Sequence, residues 1–198
     1  MVVGVTGKYC AGKNSVAALL ESQGFRHIDA DKLGHDALER QRARIEQRFG
    51  SAVVNNGLVN RRALAAIVFS DAAARSDLEA IVHPEVVAMV KRRVAEDPSR
   101  DYVINAPLLY KAGLQLLCRV VIWVTAPVPV RLYRGVRRDH SSVRSIMKRI
   151  RSQGDLKPSQ HSAGDVDIIK VNNVCGRNRL TRRVERIVKL LRNEDRAR

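Results

Sequence analysis

Gly7-Lys8-Tyr9-Cys10-Ala11-Gly12-Lys13 sets two glycines five residues apart and a lysine directly after the second, a spacing suited to holding a chain of phosphates. The stretch follows the apolar Val2-Val3-Gly4-Val5 and precedes the helix-like Val16-Ala17-Ala18-Leu19-Leu20. Strand, glycine-bounded turn and helix start together aim main-chain N–H groups at one small volume, where the helix dipole also favours negative charge. A Cβ at Gly7 or Gly12 would oppose positive φ or the close approach of phosphate oxygens. Lys13 adds a mobile cation. A nucleoside triphosphate is therefore expected against Gly7, Lys8, Tyr9, Cys10, Ala11, Gly12, Lys13, Asn14 and Ser15.

The residue after such a lysine ordinarily supplies a hydroxyl for Mg²⁺, and here it is Asn14, with Ser15 next. Consecutive helical side chains point about 100° apart, so Ser15 faces elsewhere. The Asn14 amide oxygen is a neutral donor, and Mg²⁺ keeps several waters, which makes Asn14 the candidate metal ligand. Thr6 offers a further hydroxyl. If the seat is impaired, Asn14→Ser lowers the Mg²⁺ requirement; if Asn14 is an adapted ligand, the change leaves it unaltered or worsens it.

The elements that must position these groups are legible as apolar runs: residues 2–6, a short one near 25–28, then 102–104, 120–125 and 167–171, separated by amphipathic helical stretches. That alternation predicts an α/β fold with a parallel sheet covered by helices on both faces. Ligands in such sheets sit at the carboxyl ends of the strands, so Gly7, Asp29-Ala30-Asp31 and Asn105-Ala106-Pro107 are expected to converge. Residues 1–31, 100–133 and 165–198 form the expected nucleotide-binding core. Residues 32–99 read as a helical insertion broken at Asn55-Asn56-Gly57, and residues 134–164 as an arginine-rich lid broken by Gly154 and Pro158.

Of 198 residues, 36 are Lys or Arg and 20 are Asp or Glu, a formal net charge of +16. Arg134, Arg137, Arg138, Arg144, Lys148, Arg149, Arg151 and Lys157 could face a polyanionic small substrate or a nucleic acid. Aromatic residues are not interleaved with these cations, which argues against stacking platforms for single strands. In the C-terminal segment Leu180, Val184, Ile187, Val188 and Leu191 make an apolar helical stripe, so the arginines between them read as surface. Cysteines 10, 118 and 175 are too far apart for a disulfide framework or a metal pair and suit a reducing compartment. No run approaches the roughly 20 apolar residues of a spanning helix and no targeting signal is visible, so a cytoplasmic protein without membrane contact is expected.

Taken in order, the motifs resemble those of dephospho-CoA kinases over nearly the whole chain. The marks beyond the loop are His27-Ile28-Asp29-Ala30-Asp31-Lys32, Gly57-Leu58-Val59-Asn60-Arg61-Arg62-Ala63-Leu64, Leu78-Glu79-Ala80-Ile81-Val82-His83-Pro84, Pro107-Leu108-Leu109-Tyr110, Arg134 with Arg138-Asp139, Arg149-Ile150 with Gln153, and Asn172-Asn173. The resemblance implies a P-loop kinase that uses ATP and Mg²⁺ to phosphorylate the 3′-hydroxyl of dephospho-CoA in coenzyme A biosynthesis. It implies Asp31 as base, with Lys13 and Arg138 as catalytic cations. It places Arg138 and Asn173 with ATP, and Asp31, His83, Pro107 and Leu108 with the acceptor. A carboxylate at a strand end suits a base, although the same Asp31 could cap the following helix. Alone, His83 before Pro84 would read as a helix-boundary histidine.

The chain also departs from the family. Against Gly-Gly-Ile-Gly-Ser-Gly-Lys-Ser it loses two glycines and the metal hydroxyl; Pro-Leu-Leu-Phe-Glu becomes Pro107-Leu108-Leu109-Tyr110-Lys111, and a glutamine becomes Arg131. These changes keep two other readings open: a catalytically weak nucleotide-binding regulatory module, and a basic nucleic-acid-associated P-loop protein. Partners are expected to be small molecules, without specific nucleic acid, on a monomer or weak oligomer.

Overall fold

The structure is a computed structural model and describes residues 1–153, 166–174 and 176–196. Its strands are β1 (Val2–Gly7), β2 (Arg26–Asp29), β3 (Val54–Asn55), β4 (Leu58–Val59), β5 (Tyr102–Asn105), β6 (Val120–Thr125) and β7 (Asp167–Asn172). The helices are α1 (Lys13–Ser22), α2 (Ala30–Arg40), α3 (Arg42–Phe49), α4 (Arg61–Ser70), α5 (Ala72–Glu96), α6 (Val128–Asp139), α7 (Val143–Arg151) and α8 (Arg177–Arg196). The chain divides into two compact units: Met1–Ile28, Pro98–Tyr110 and Leu114–Arg198 make the first, Asp29–Asp97 and Lys111–Gly113 the second.

The first unit is built on a five-stranded sheet in the order β2-β5-β1-β6-β7, with β1 central. β1 runs parallel to β5 and to β6, and β6 parallel to β7. Parallel neighbours require crossover connections, which is why helices intervene, and strands covered on both faces read as continuous apolar runs. Val3, Val5, Val103, Ile122 and Val124 point to one face, where Val16, Ala17 and Leu20 of α1 and Leu180, Val184 and Val188 of α8 bury against them. Each fully buried aliphatic side chain there contributes about 1.5–3 kcal/mol. The apolar stripe expected in α8 is thus core, while its Arg183 and Arg192 donate to the Lys170 and Gln23 carbonyls.

On the opposite face of β1 the space above Gly4 is filled by Leu109, Val121 and Cys118, whose atoms would lie 3.0–3.2 Å from any added Cβ. Burial pushes the Cys118 thiol up to about 12 from an ordinary value of 9.0. The thiolate is thereby favoured in the unfolded chain, so this contribution to stability is complete below pH 9 and is lost as pH rises toward about 12. Burial of the Tyr110 phenol acts in the same direction from higher pH. Unfolding free energy measured in denaturant should fall over that window, and Cys118→Ala should remove the part that begins near pH 9. An unchanged curve in the variant would contradict the assignment.

The second unit packs α2, α3, α4 and α5 around Ile45, Val53, Val59, Leu64 and Ile81. Two features differ from the sequence expectation. The break at Asn55-Asn56-Gly57 is an antiparallel hairpin of β3 and β4, with Asn56 at φ 49° and Gly57 at φ 75°. Its strands are two residues long, too short to register as alternation, but Asn-Gly is the pair that a tight hairpin with positive φ at both positions selects. Second, His83 does not end a helix: α5 runs through Pro84. A proline inside a helix costs about 3 kcal/mol, and burial of Ile81 before it and Val86, Met89 and Val90 after it outweighs that. Of the stretch expected as a lid, residues 154–164, with Gly154, Lys157 and Pro158, lie outside the described residues, as does Cys175.

Candidate active site

The phosphate loop is shaped by glycines at positive φ and by neighbours that surround it. Gly7 has φ 148° and Gly12 φ 99°; a Cβ at the first would strike the Val124 carbonyl and at the second the Asn173 amide. Cys10, where the family has glycine, also adopts a left-handed φ of 56°, a conformation that costs an L-residue roughly 1–2 kcal/mol. The Ala11 N–H donates to Lys8 O at 3.1 Å and closes the turn. Gly12 is the N-cap of α1 and offers no side chain to its first-turn amides, and no acidic residue stands in that turn. An uncapped helix N-terminus without a competing carboxylate is a receptive place for an anion. The Lys13 ammonium lies over this loop, donating to Gly7 O at 3.0 Å.

Asn173, buried at the end of β7, donates to Ala11 O at 3.0 Å and receives Arg134 Nη2 on its own carbonyl at 3.0 Å. Arg134 also reaches Ala11 O at 3.4 Å. Both therefore brace the loop. Both also line an open cleft of about 620 Å³ that Gly12, Asn14 and Ser15 share with the apolar Ala18, Leu19 and Leu180. A second cleft of about 360 Å³ continues from the same Gly12, Asn14, Ser15 and Arg134 and is lined by Cys10, Lys13, Arg137 and Arg138. Among the described residues four cations and no carboxylate line it, the charge pattern of a polyanion site.

Asn14 is tied to the neighbouring strand: its Oδ1 accepts from Asn105 Nδ2 at 3.0 Å. Asn105 Oδ1 is buried without a partner among the described residues. Thr6 is not aimed at this pair, because its hydroxyl donates to Pro107 O at 3.3 Å. Two amide oxygens without a carboxylate suit an ion that arrives with the phosphates and keeps its waters. Among the described residues no group of three His, Cys, Asp or Glu side chains could hold a metal ion by itself.

Tyr9 is the hub of a polar network with α6 and α7. Its hydroxyl donates to Asp139 Oδ2, its carbonyl accepts from Arg131 Nε at 2.7 Å, and its N–H donates to Gln153 Oε1. Arg138 binds Asp139 Oδ1 at 2.7 Å and Arg149 binds Asp139 Oδ2 at 2.7 Å. Bonds from Arg138 and then Tyr9 hold the Asp139 carboxyl down at about 2, and burial followed by the bond to Asp139 raises the Tyr9 phenol. Asp139 in turn raises the Arg138 guanidinium. Burial lowers Arg131, which is 4 % exposed.

In the second unit, Asp29 and not Asp31 caps α2: Asp29 Oδ1 accepts from the N–H groups of Asp31 at 3.0 Å and Lys32 at 3.3 Å. The exposed Asp31 carboxylate is thus not the cap. His83 is half-buried in α5, and burial lowers its pKa against the pull of Glu79. Lys111, the charge-reversed position, is paired with Glu79 at 2.6 Å. In the first unit, Pro107 follows β5 and Leu108 beside it is 44 % exposed. Sequence reasoning missed the Asn14–Asn105 pair and the role of Asp139. The available signal lay in two departures from the family, Tyr9 within the altered loop and Arg131 for glutamine, which bond to each other.

Comparison with known proteins gives the same direction. The dephospho-CoA kinase family model matches residues 1–174. The chain is similar to the dephospho-CoA kinase of Moorella thermoacetica, 38% identical over 162 residues that cover 78% of this chain and 76% of the relative. It is 30% identical over 193 residues, 96% of each chain, to that of Helicobacter pylori strain J99. The crystal structure of a Thermus thermophilus protein superposes with a TM-score of 0.77 at 30% identity, covering 98% of this chain and 97% of the other. A phosphate loop on a parallel sheet, matched by a family model from Met1 to Val174, means that this chain belongs to the dephospho-CoA kinase family of ATP-dependent phosphotransferases.

Proposed function

We propose that this chain moves the γ-phosphate of MgATP to the 3′-hydroxyl of dephospho-CoA, giving CoA and ADP. The observation that carries the reading is the cleft in which Lys13, Arg134, Arg137 and Arg138 surround an uncapped helix N-terminus. The triphosphate lies along it, with the base beside Ala18, Leu19 and Leu180 in the adjoining cleft. Asp31 accepts the 3′-hydroxyl proton as that oxygen bonds to the γ-phosphorus and the bond to the β–γ bridging oxygen breaks. Lys13 and Arg138 stabilise the charge spread over the transferring group. Asn14 and Asn105 would hold Mg²⁺, which when bound neutralises charge on the β and γ phosphates. His83, Pro107 and Leu108 serve the acceptor, and residues 29–97 form its domain.

A coupled ADP-release assay with dephospho-CoA tests this: turnover should far exceed that of an Asp31→Asn control and that with adenosine as acceptor. Equal rates in enzyme and control would leave a nucleotide-binding module without catalysis. The Asn14–Asn105 bond points to an adapted seat, so Asn14→Ser should raise the Mg²⁺ concentration for half-maximal rate by about three- to tenfold, the scale of one lost hydrogen bond. A lower requirement in the variant would show the opposite.

A further inference from the structure

We propose that Tyr9 is a positioning residue for the phosphoryl-transfer step: it holds Arg138 in the cationic cleft, through Asp139 and through its own ring. The proposal rests on the kinase reading above and concerns residues of the first unit alone.

Arg138 stands in the last turn of α6 with its side chain 59% exposed. An exposed arginine of this length samples many rotamers, and a cation that must be ordered during transfer gains rate from being ordered beforehand. Three restraints act here. The guanidinium sits over the Tyr9 ring at 5.1 Å, a distance at which the ring face attracts a cation. Its Nε and Nη2 reach Asp139 Oδ1 and Oδ2 at 2.7 and 3.4 Å. Asp139 is itself held from the far side by the Tyr9 hydroxyl and by Arg149. Arg138 Nη1 makes no hydrogen bond to a described residue, so that edge of the fork is left for an anion.

Tyr9 can impose this order because it is fixed independently. Arg131 and Gln153 bind its carbonyl and its N–H, and the ring lies on α6 at Gly135. A Cβ at Gly135 would stand 3.2 Å from the ring and 2.7 Å from Ile146, which explains a glycine inside that helix. Tyr9 is also a loop residue, one turn from the lysine. The loop that receives the phosphates and the arginine that reaches them are therefore set by one side chain, and a shift of either is felt by the other.

The test is a double-mutant cycle. Tyr9→Gly should lower kcat about tenfold with less than about a twofold change in KM for ATP, and Tyr9→Phe, which keeps the ring, should lower it about threefold. In an Arg138→Ala background Tyr9→Gly should produce no further loss. Equal losses in both backgrounds, or a loss confined to KM for ATP, would overturn the proposal. Should Tyr9→Gly fail to fold, Tyr9→Phe in the same two backgrounds carries the test. A readout independent of turnover is the Arg138 Nε–H resonance in arginine-labelled protein, assigned by its absence in Arg138→Lys. It should be protected and ring-shifted in the native enzyme and lost to exchange in Tyr9→Gly. An unchanged resonance refutes the proposal, whereas an inactive native enzyme with a responsive resonance refutes only the kinase reading.

Discussion

Asp31→Asn is expected to lower kcat for dephospho-CoA by about 10²–10⁴, the range that a positioned proton acceptor supplies. The carboxamide has nearly the shape of the carboxylate but cannot take the proton that the attacking 3′-oxygen must lose. The substitution leaves the cap of α2 in place, because that cap is Asp29, which accepts from the main-chain N–H of residue 31. The thermal midpoint and KM for ATP should accordingly stay near native values. Steady-state kinetics with a thermal melt decides: a loss below about tenfold, or a loss that tracks a falling melt, removes Asp31 from the chemistry.

Lys13→Ala carries the second large effect, a loss of about 10²–10³ in kcat/KM for ATP, equivalent to about 3–4 kcal/mol of transition-state stabilisation. The ammonium is positioned over the loop by Gly7 O at 3.0 Å, and its removal leaves only the arginines of the cleft against the phosphates. Binding of ATP measured by calorimetry should weaken as well, since the proposed role of Lys13 is to meet the phosphates before and during transfer. Arg134 cannot substitute, because it is spent on the Ala11 and Asn173 carbonyls. Unchanged kinetics would mean that the glycine-lysine stretch is a turn without a ligand.

Five of the strands were legible as apolar runs because a strand buried on both faces has few alternatives: Val120–Thr125 appears with the bounds its composition implies. The apolar stripe of α8 was readable for a related reason, since a period of 3.6 marks a buried helix face whatever it packs on. The β3–β4 hairpin was not, as two-residue strands carry no period, and the continuation of α5 through Pro84 opposed the local rule. At Pro84 the burial of distant residues outvoted a short-range preference, whereas at the hairpin the local Asn-Gly signal was present without flanking strands long enough to show a period.

The site divides along the same line. Glycine spacing, a lysine and a following helix determined by themselves that Gly7–Lys13 forms a phosphate loop, because steric access at positive φ and main-chain donors at a helix start are local properties. Which arginines serve that loop was decided only by the tertiary structure. The sequence marked Arg134 and Arg131 by comparison with a family pattern and assigned neither a partner, yet both bond loop carbonyls, while Arg183 of α8 bonds the Lys170 carbonyl within β7. A charge has no direction until packing supplies one: parallel pairing of β1 with β6 carries the start of α6 to the loop, and the arginines on its inward face follow.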